Sequence, residues 1–255
     1  MRVDRLNEME EYILSEGTVP LEKLATRFDV STNTVRRDVN ELIKRGRIRK
    51  VYGGVSAITE HDTNLTPVPL QVRAVEHSTA KNIIGRLAAG MVSDGDTIFL
   101  DSGTTVACMV PYLAEKEDVT IVTHSLNVMY EAAKYPSLNI IALGGYYNHA
   151  TSSYSGISTL DPLSSISTNA AFIAATGVSL EKGLTHTTYF EAETKKKVVQ
   201  TSSRVILCAD DSKFGRASTL SFYQFEDLYA VVTNKMPDKK FLDAISYNNI
   251  LLVCP

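Results

Sequence analysis

Thr97-Ile98-Phe99-Leu100-Asp101-Ser102-Gly103-Thr104-Thr105 runs from apolar and β-branched residues into a carboxylate and then into small hydroxyl residues. The first part has the continuous apolarity of a strand buried on both faces. The second part reads as a loop that opens a helix. In a parallel sheet, ligands bind beyond the carboxyl ends of the strands. A loop of small residues at that edge presents backbone N–H groups, a helix dipole and hydroxyl donors, which together suit a phosphate. The same composition also serves a plain strand–helix turn, so its neighbours decide its meaning.

Outward from this stretch the pattern repeats. Strand-like runs fall at 97–101, 119–123, 138–143, 171–175, 204–209, 228–233 and 249–253, and helical patterns at 81–91, 125–134 and 190–202. This alternation predicts an α/β domain with a mostly parallel sheet covered on both faces. Three further loops should reach the same edge: Thr123-His124-Ser125-Leu126-Asn127, Leu143-Gly144-Gly145, and Asp210-Asp211-Ser212-Lys213-Phe214-Gly215. Their convergence with Asp101, Ser102, Gly103, Thr104 and Thr105 would form one polar site. Lys213 would supply a cation there.

The N-terminal region has a different rhythm. Leu21, Leu24, Ala25 and Phe28 form the apolar stripe of a short helix, Asp29-Val30 a turn, and Ser31 the N-cap of a second helix. In that second helix Val35, Val39, Leu42 and Ile43 face inward. Asn33, Arg37, Asn40 and Lys44 then face outward, with Thr34 and Arg36 on the flanks. Arginine pairs bidentately with guanine and asparagine with adenine, while hydroxyls and lysine hold phosphates. The first residues of such a helix, including Thr32, reach deepest into the major groove. After Gly46, Arg47-Ile48-Arg49-Lys50-Val51-Tyr52-Gly53-Gly54 reads as a basic hairpin, or wing. Its expected contact is phosphate or the adjacent minor groove.

The overall charge of −3 argues against indiscriminate nucleic-acid binding. Residues 31–55, however, carry seven cations (Arg36, Arg37, Lys44, Arg45, Arg47, Arg49, Lys50) against Asp38 and Glu41, a local balance of 7 − 2 = +5. A basic block on an acidic chain marks a local phosphate contact. A hydrophobic fraction of 44% and a charged fraction of 22% are ordinary for a globular protein. No apolar run is long enough to span a bilayer, and the charged N-terminus lacks a secretory pattern, so a cytoplasmic protein is expected. Cys108, Cys208 and Cys254 stand apart and read as small buried hydrophobes. No histidine has metal-ligand spacing, and neither a dinucleotide fingerprint nor a P-loop occurs. No metal, cofactor or catalytic residue is expected.

Val30-Ser31-Thr32-Asn33-Thr34-Val35-Arg36-Arg37-Asp38-Val39, followed by Arg49-Lys50-Val51-Tyr52-Gly53-Gly54-Val55, resembles the DNA-binding domain of the DeoR family of repressors. The run 94–105 resembles the effector-domain signature of the same family. So do Gly183-Leu184-Thr185, Glu191 with Lys195, and 211–215. One departure is His124, where the family more often has asparagine. The resemblance implies a fold like ribose-5-phosphate isomerase, used to sense a sugar phosphate. By spacing alone, Glu191 and Lys195 are an i, i+4 surface ion pair; the resemblance moves them to a role near the ligand or in domain coupling.

The expected organisation is a winged helix-turn-helix over 1–57, a linker over 58–76 containing Pro67 and Pro69, and an effector-sensing, oligomerising domain over 77–255. The expected function is repression of a sugar-utilisation operon through a double-stranded DNA operator, modulated by a phosphorylated sugar. A homo-oligomer, dimer or tetramer, is expected. The DNA-binding residues are Ser31, Thr32, Asn33, Thr34, Arg36, Arg37, Lys44, Arg47, Arg49 and Lys50. The effector residues are Asp101, Ser102, Gly103, Thr104, Thr105, His124, Ser125, Gly144, Gly145, Glu191 and Lys213. The alternative is a sugar-phosphate isomerase or deaminase with a fused DNA-binding domain, which would need a positioned general base.

Overall fold

The computed structural model describes residues 2–51, 54–57 and 70–255. The chain divides into two compact units, Met1–Val72 and Arg73–Pro255.

The first unit opens with α1 (Arg2–Glu16), β1 (Thr18–Pro20), α2 (Leu21–Arg27) and α3 (Thr32–Lys44), and closes with β2 (Ile48–Val51) and β3 (Gly54–Ala57). Ser31 caps α3 as its sequence position predicts: its side chain accepts from the Thr34 N–H at 3.2 Å. Val35, Val39 and Leu42 pack with Leu6, Met9, Ile13, Leu24, Ile48 and Val55 into one core. The wing is a three-stranded antiparallel sheet, because β1 pairs with β3 in the register Val19↔Val55 while β2 pairs on its other side. The sequence pattern had suggested only the hairpin. A three-residue strand next to a helix carries too few side chains to show a period. Tyr52 and Gly53 lie outside the described residues.

Residues 58–69 of the expected linker also lie outside the described residues, but its end is helical: α4 spans Leu70–Val75. Leu70-Gln71-Val72-Arg73-Ala74-Val75 follows Pro69 and contains neither proline nor glycine, so nothing in it opposes a helical turn.

In the second unit α5 (Ser78–Ala89) leads into a seven-stranded sheet. Its strands are β4 (Thr97–Leu100), β5 (Thr120–Thr123), β6 (Asn139–Ala142), β9 (Ala170–Ile173), β12 (Val205–Cys208), β14 (Ala230–Val232) and β15 (Leu251–Val253). The order is β15-β14-β12-β9-β4-β5-β6, and every pairing is parallel. Each of the seven lies on one of the apolar runs read from the sequence. Successive residues face opposite sides: Ile98 and Leu100 enter one core cluster and Phe99 the other. The first face is covered by α5, α6 (Thr104–Ala107), α7 (Val110–Leu113) and α8 (Leu126–Ala132). The other is covered by α9 (Ile157–Leu163), α10 (Tyr189–Thr201) and α11 (Lys239–Tyr247).

Two small antiparallel additions have no counterpart in the sequence reading. β7 (Tyr146–Asn148) pairs with β8 (Ser153–Ser155), and β10 (Gly177–Ser179), β11 (Gly183–His186) and β13 (Leu220–Tyr223) form a second sheet. From β4 the chain runs outward to β5 and β6, then returns to β9 on the other side of β4 and proceeds to β12. The β4/β9 boundary is therefore the point at which the winding reverses. In such sheets that point opens a crevice beyond the strand ends.

Candidate functional site

The first candidate surface is the outer face of α3. Ser31, Thr32, Asn33, Arg36, Arg37 and Asn40 are exposed and Thr34 is half-buried, as helical spacing from buried Val35 requires. Asp38 lies on the opposite side. It is buried and pairs with Arg5 of α1 at 2.7 Å, so the acidic residue beside Arg36 and Arg37 fastens the helix and leaves those arginines facing solvent. Arg45 likewise turns back to Glu10 at 2.9 Å. Arg47 is exposed at the start of the wing while Ile48 is buried. The side chains of Lys44, Arg49 and Lys50 lie outside the described residues.

The second candidate is the crevice at the β4/β9 boundary. Asp101 leaves the end of β4 fully buried, and its Oδ2 accepts from the Ala174 N–H, just past β9, at 2.9 Å. The same oxygen pairs with the buried Lys195 ammonium, which also donates to the Ala174 carbonyl at 3.1 Å. Gly103 packs so closely on Ala174 that a Cβ there would lie 2.3 Å from the alanine methyl. The glycine is therefore required by close approach. Ser102 donates to Glu191 Oε2 at 2.7 Å, and Ser153 of β8 donates to Glu191 Oε1. His124, just past β5, is fully buried, stacks on Phe99 and places Nε2 3.6 Å from Glu191 Oε2. That separation is an ion-pair distance rather than a hydrogen bond.

Burial pushes the Glu191 carboxyl up, but His124, Lys195 and His186 outweigh it and hold the group well below the usual carboxylate range. His186, at the end of β11, is lowered to about 4, chiefly by burial and then by the Lys195 charge, so its ring is neutral near pH 7. Asp101 Oδ1 and both ring nitrogens of His124 are buried without a hydrogen-bond partner. Asp101, His124 and Glu191 offer donor atoms within 4.8 Å of one another. The Lys195 ammonium on Asp101 already balances part of this charge and would repel a divalent ion, so the set suits the hydroxyl groups of a ligand better than a metal.

The other sequence candidates divide. Thr104 and Thr105 follow that loop as the first residues of α6, Thr105 buried. The helix they open is only four residues long, so its dipole is small and the loop's N–H groups and hydroxyls carry more of any anion contact than the sequence pattern implied. Ser125 is fully buried and caps α8, accepting from the Val128 N–H at 3.4 Å. Gly144 accepts from Thr159 at 2.7 Å, and Gly145 (φ +150) lies against Ser155 and Thr159, where a Cβ would sit 2.5 Å from both oxygens. Gly145 thus has an evident packing role, whereas a Cβ on Gly144 would meet nothing. Lys213 sits in a short 3₁₀ turn (Asp211–Lys213) and, with Asp210, acts on the Lys81 ammonium. Glu191 and Lys195 are not a surface pair: both are buried, and Lys195 pairs with Asp101. Spacing along one helix cannot show which partner a third element supplies. Lys195, Ser153 and His186 are polar contributors that site prediction from sequence left out, although Lys195 stood beside Glu191 in the resemblance. Cys208 is buried as expected, whereas Cys108 and Cys254 are half-buried.

Among the described residues no helix is long and apolar enough to cross a membrane. The sequence profile of the DeoR-like helix-turn-helix domain matches residues 5–61, and that of the DeoR C-terminal sensor domain matches residues 76–235. The HTH-type transcriptional regulator IolR of Bacillus subtilis is 40% identical over 94% of this chain and 94% of its own. The Escherichia coli glycerol-3-phosphate regulon repressor is 29% identical over 98% of each chain. The B. subtilis repressor GlcR is 29% identical over 98% of this chain and 95% of its own. Ribose 5-phosphate isomerase A of Methanocaldococcus jannaschii aligns over 55% of each chain at 19% identity and a TM-score of 0.41. The relatives that match along nearly the whole length are regulators, against the isomerase alternative. This chain belongs to the DeoR family: it is a DNA-binding transcriptional regulator with a sensor domain, not an enzyme.

Proposed function

We propose that the chain represses a sugar-utilisation operon and that a phosphorylated sugar bound in the β4/β9 crevice modulates its hold on the operator. The observation that carries this reading is the set of unpartnered buried atoms, Asp101 Oδ1 and the two nitrogens of His124, beside an ionised Glu191. Buried polar atoms without partners are costly, and hydroxyls of a ligand would satisfy them. The adjoining Ser102, Gly103, Thr104 and Thr105 offer hydroxyls and N–H groups to a phosphate. Asp101 is suited to the sugar hydroxyls, since a carboxylate repels a phosphate. The names of the relatives point the same way, one of them being a glycerol-3-phosphate regulon repressor. Asn33, Arg36, Arg37 and the wing read the operator. The protein works in the cytoplasm as a homo-oligomer, because one reader head buries little DNA surface and such heads pair across a two-fold axis.

A thermal-shift screen of phosphorylated sugars against their unphosphorylated counterparts tests the reading. A ligand at about a hundred times its Kd should raise the midpoint by roughly 5–10 °C. Ser102→Ala should shrink that shift. The reading fails if unphosphorylated sugars act equally well or if no phosphorylated sugar raises the midpoint.

A further inference from the structure

The crevice lining described above comes from the strand ends, β8, β11 and α10. Another cation approaches it from α4. A six-residue helix does not hold itself together, yet the carbonyl end of α4 is tied down. The buried Lys81 ammonium donates to the Glu76 carbonyl at 2.6 Å and to the Arg73 carbonyl. Thr104, of the crevice loop, also approaches the Arg73 carbonyl, at 3.4 Å. Residues 74–79 are exposed, but Arg73, anchored by its carbonyl beside the crevice loop, is half-buried. Burial lowers its guanidinium below the ordinary arginine value, and the Glu191 and Asp101 carboxylates act against that fall. His186 feels the same guanidinium. Lys195 and Arg73 thus both act on the Asp101 and Glu191 carboxylates.

We infer that Arg73, whose backbone is anchored beside the crevice loop, is a ligand-binding residue of this crevice and that its guanidinium meets the phosphate of the ligand on binding. The assignment rests on reading the crevice as a phosphorylated-sugar site. A guanidinium matches a phosphate with two parallel N–H donors, a geometry no other side chain near the loop provides among the described residues. Its backbone position adds a consequence. Arg73 lies in α4, which in the chain directly follows the segment leading from the DNA reader. Occupancy of the crevice would therefore change what holds α4, and ligand binding would reach the connecting segment through one residue.

Hydrogen exchange on the full-length chain tests this, with millimolar inorganic phosphate as the probe. In the wild type, phosphate should slow exchange several-fold in both 70–77 and 101–106. In Arg73→Gln the response in 70–77 should vanish and phosphate should bind about tenfold more weakly. Arg73→Lys, which keeps the charge, should restore part of both and shows that the position tolerates change. Protection of 101–106 alone in the wild type overturns the role of Arg73 and leaves the site reading intact. Protection of neither segment overturns both. An Arg73→Gln chain that responds like the wild type in 70–77 shows that Arg73 is not the contact.

Discussion

The DNA reader and the sensor crevice place their functional side chains in opposite ways. On α3 the polar residues face solvent and the apolar ones make the core, so one helix separates the two tasks by angle. In the crevice, Asp101, Ser102, His124, Glu191 and Lys195 are all buried, and they come from three places in the chain: the ends of β4 and β5, and α10. The reader's recognition residues add little to its stability. The crevice's polar residues are part of the fold's interior, where Ser102 is held by Glu191 and Lys195 by Asp101. A surface polar group keeps its water, whereas a buried one must find its partner in the protein or in a ligand.

The largest effect should come from Lys195→Met. Leaving Asp101 buried and unpaired should cost about 3–5 kcal/mol of stability, measured by urea unfolding of the sensor unit. Asp101→Asn with Lys195→Met should recover part of it. A loss under about 1 kcal/mol would break the comparison, because Lys195 would then be as dispensable as a surface residue.

On the reader side the opposite balance is expected. Arg37→Ala should leave the unfolding midpoint almost unmoved but weaken operator binding by about 1–3 kcal/mol, with a smaller effect on random DNA. Arg49→Ala should weaken both DNAs alike, because a wing arginine mainly meets phosphate. Gel shifts of both variants on both DNAs decide this. Equal losses on both DNAs for Arg37→Ala would remove it from the groove.

A smaller effect sharpens the contrast by pH. His186 is lowered to about 4 when folded, against 6.5 ordinarily, mainly by burial and then by Lys195. Between those values the unfolded chain binds a proton that the folded chain refuses, so stability is full above pH 6.5 and falls as the pH drops toward 4. Because the ring is only partly shielded, the loss should be about 2 kcal/mol rather than the whole shift. Glu191 contributes in the same direction at lower pH: its stabilisation is full above 4.5 and is lost as the pH falls from there through its much lower folded value. Unfolding of the wild type and His186→Gln at pH 7 and pH 4.5 should show the slope in the former and a shallower one in the latter. Identical slopes would mean that the ring is solvated.

The same contrast explains what was legible in the sequence. The seven parallel strands announce themselves because a strand covered on both faces must be apolar at nearly every position, as Val205-Ile206-Leu207-Cys208 shows. β8 and β10 are three residues long with mixed polarity, too short for a period to emerge. The recognition helix was legible for a local reason: its cap, its stripe and its outer face all lie within 31–44. Asp101 and Ser102 could be placed because they end a strand. The pairing of Lys195 with Asp101, 94 positions away, could not, because only the approach of α10 to the β4/β9 boundary creates it. His124 was singled out as a loop residue, yet its stacking on Phe99 and its approach to Glu191 depend on three elements meeting.

The solvent face of α3 has a consequence for how such a regulator diversifies. Asn33, Arg36, Arg37 and Asn40 lie outside the core, and Asp38 fastens the helix from behind through Arg5. Descendants of a duplicated gene can exchange these four residues and acquire new target sequences one substitution at a time, passing through no unfolded ancestor. The crevice has no such freedom: a substitution at buried Asp101 or Glu191 must be accompanied by a matching change elsewhere in the same generation or be tolerated on a surplus of stability. Lineages of this protein should therefore drift readily in the genes they address and slowly in the molecules they answer to.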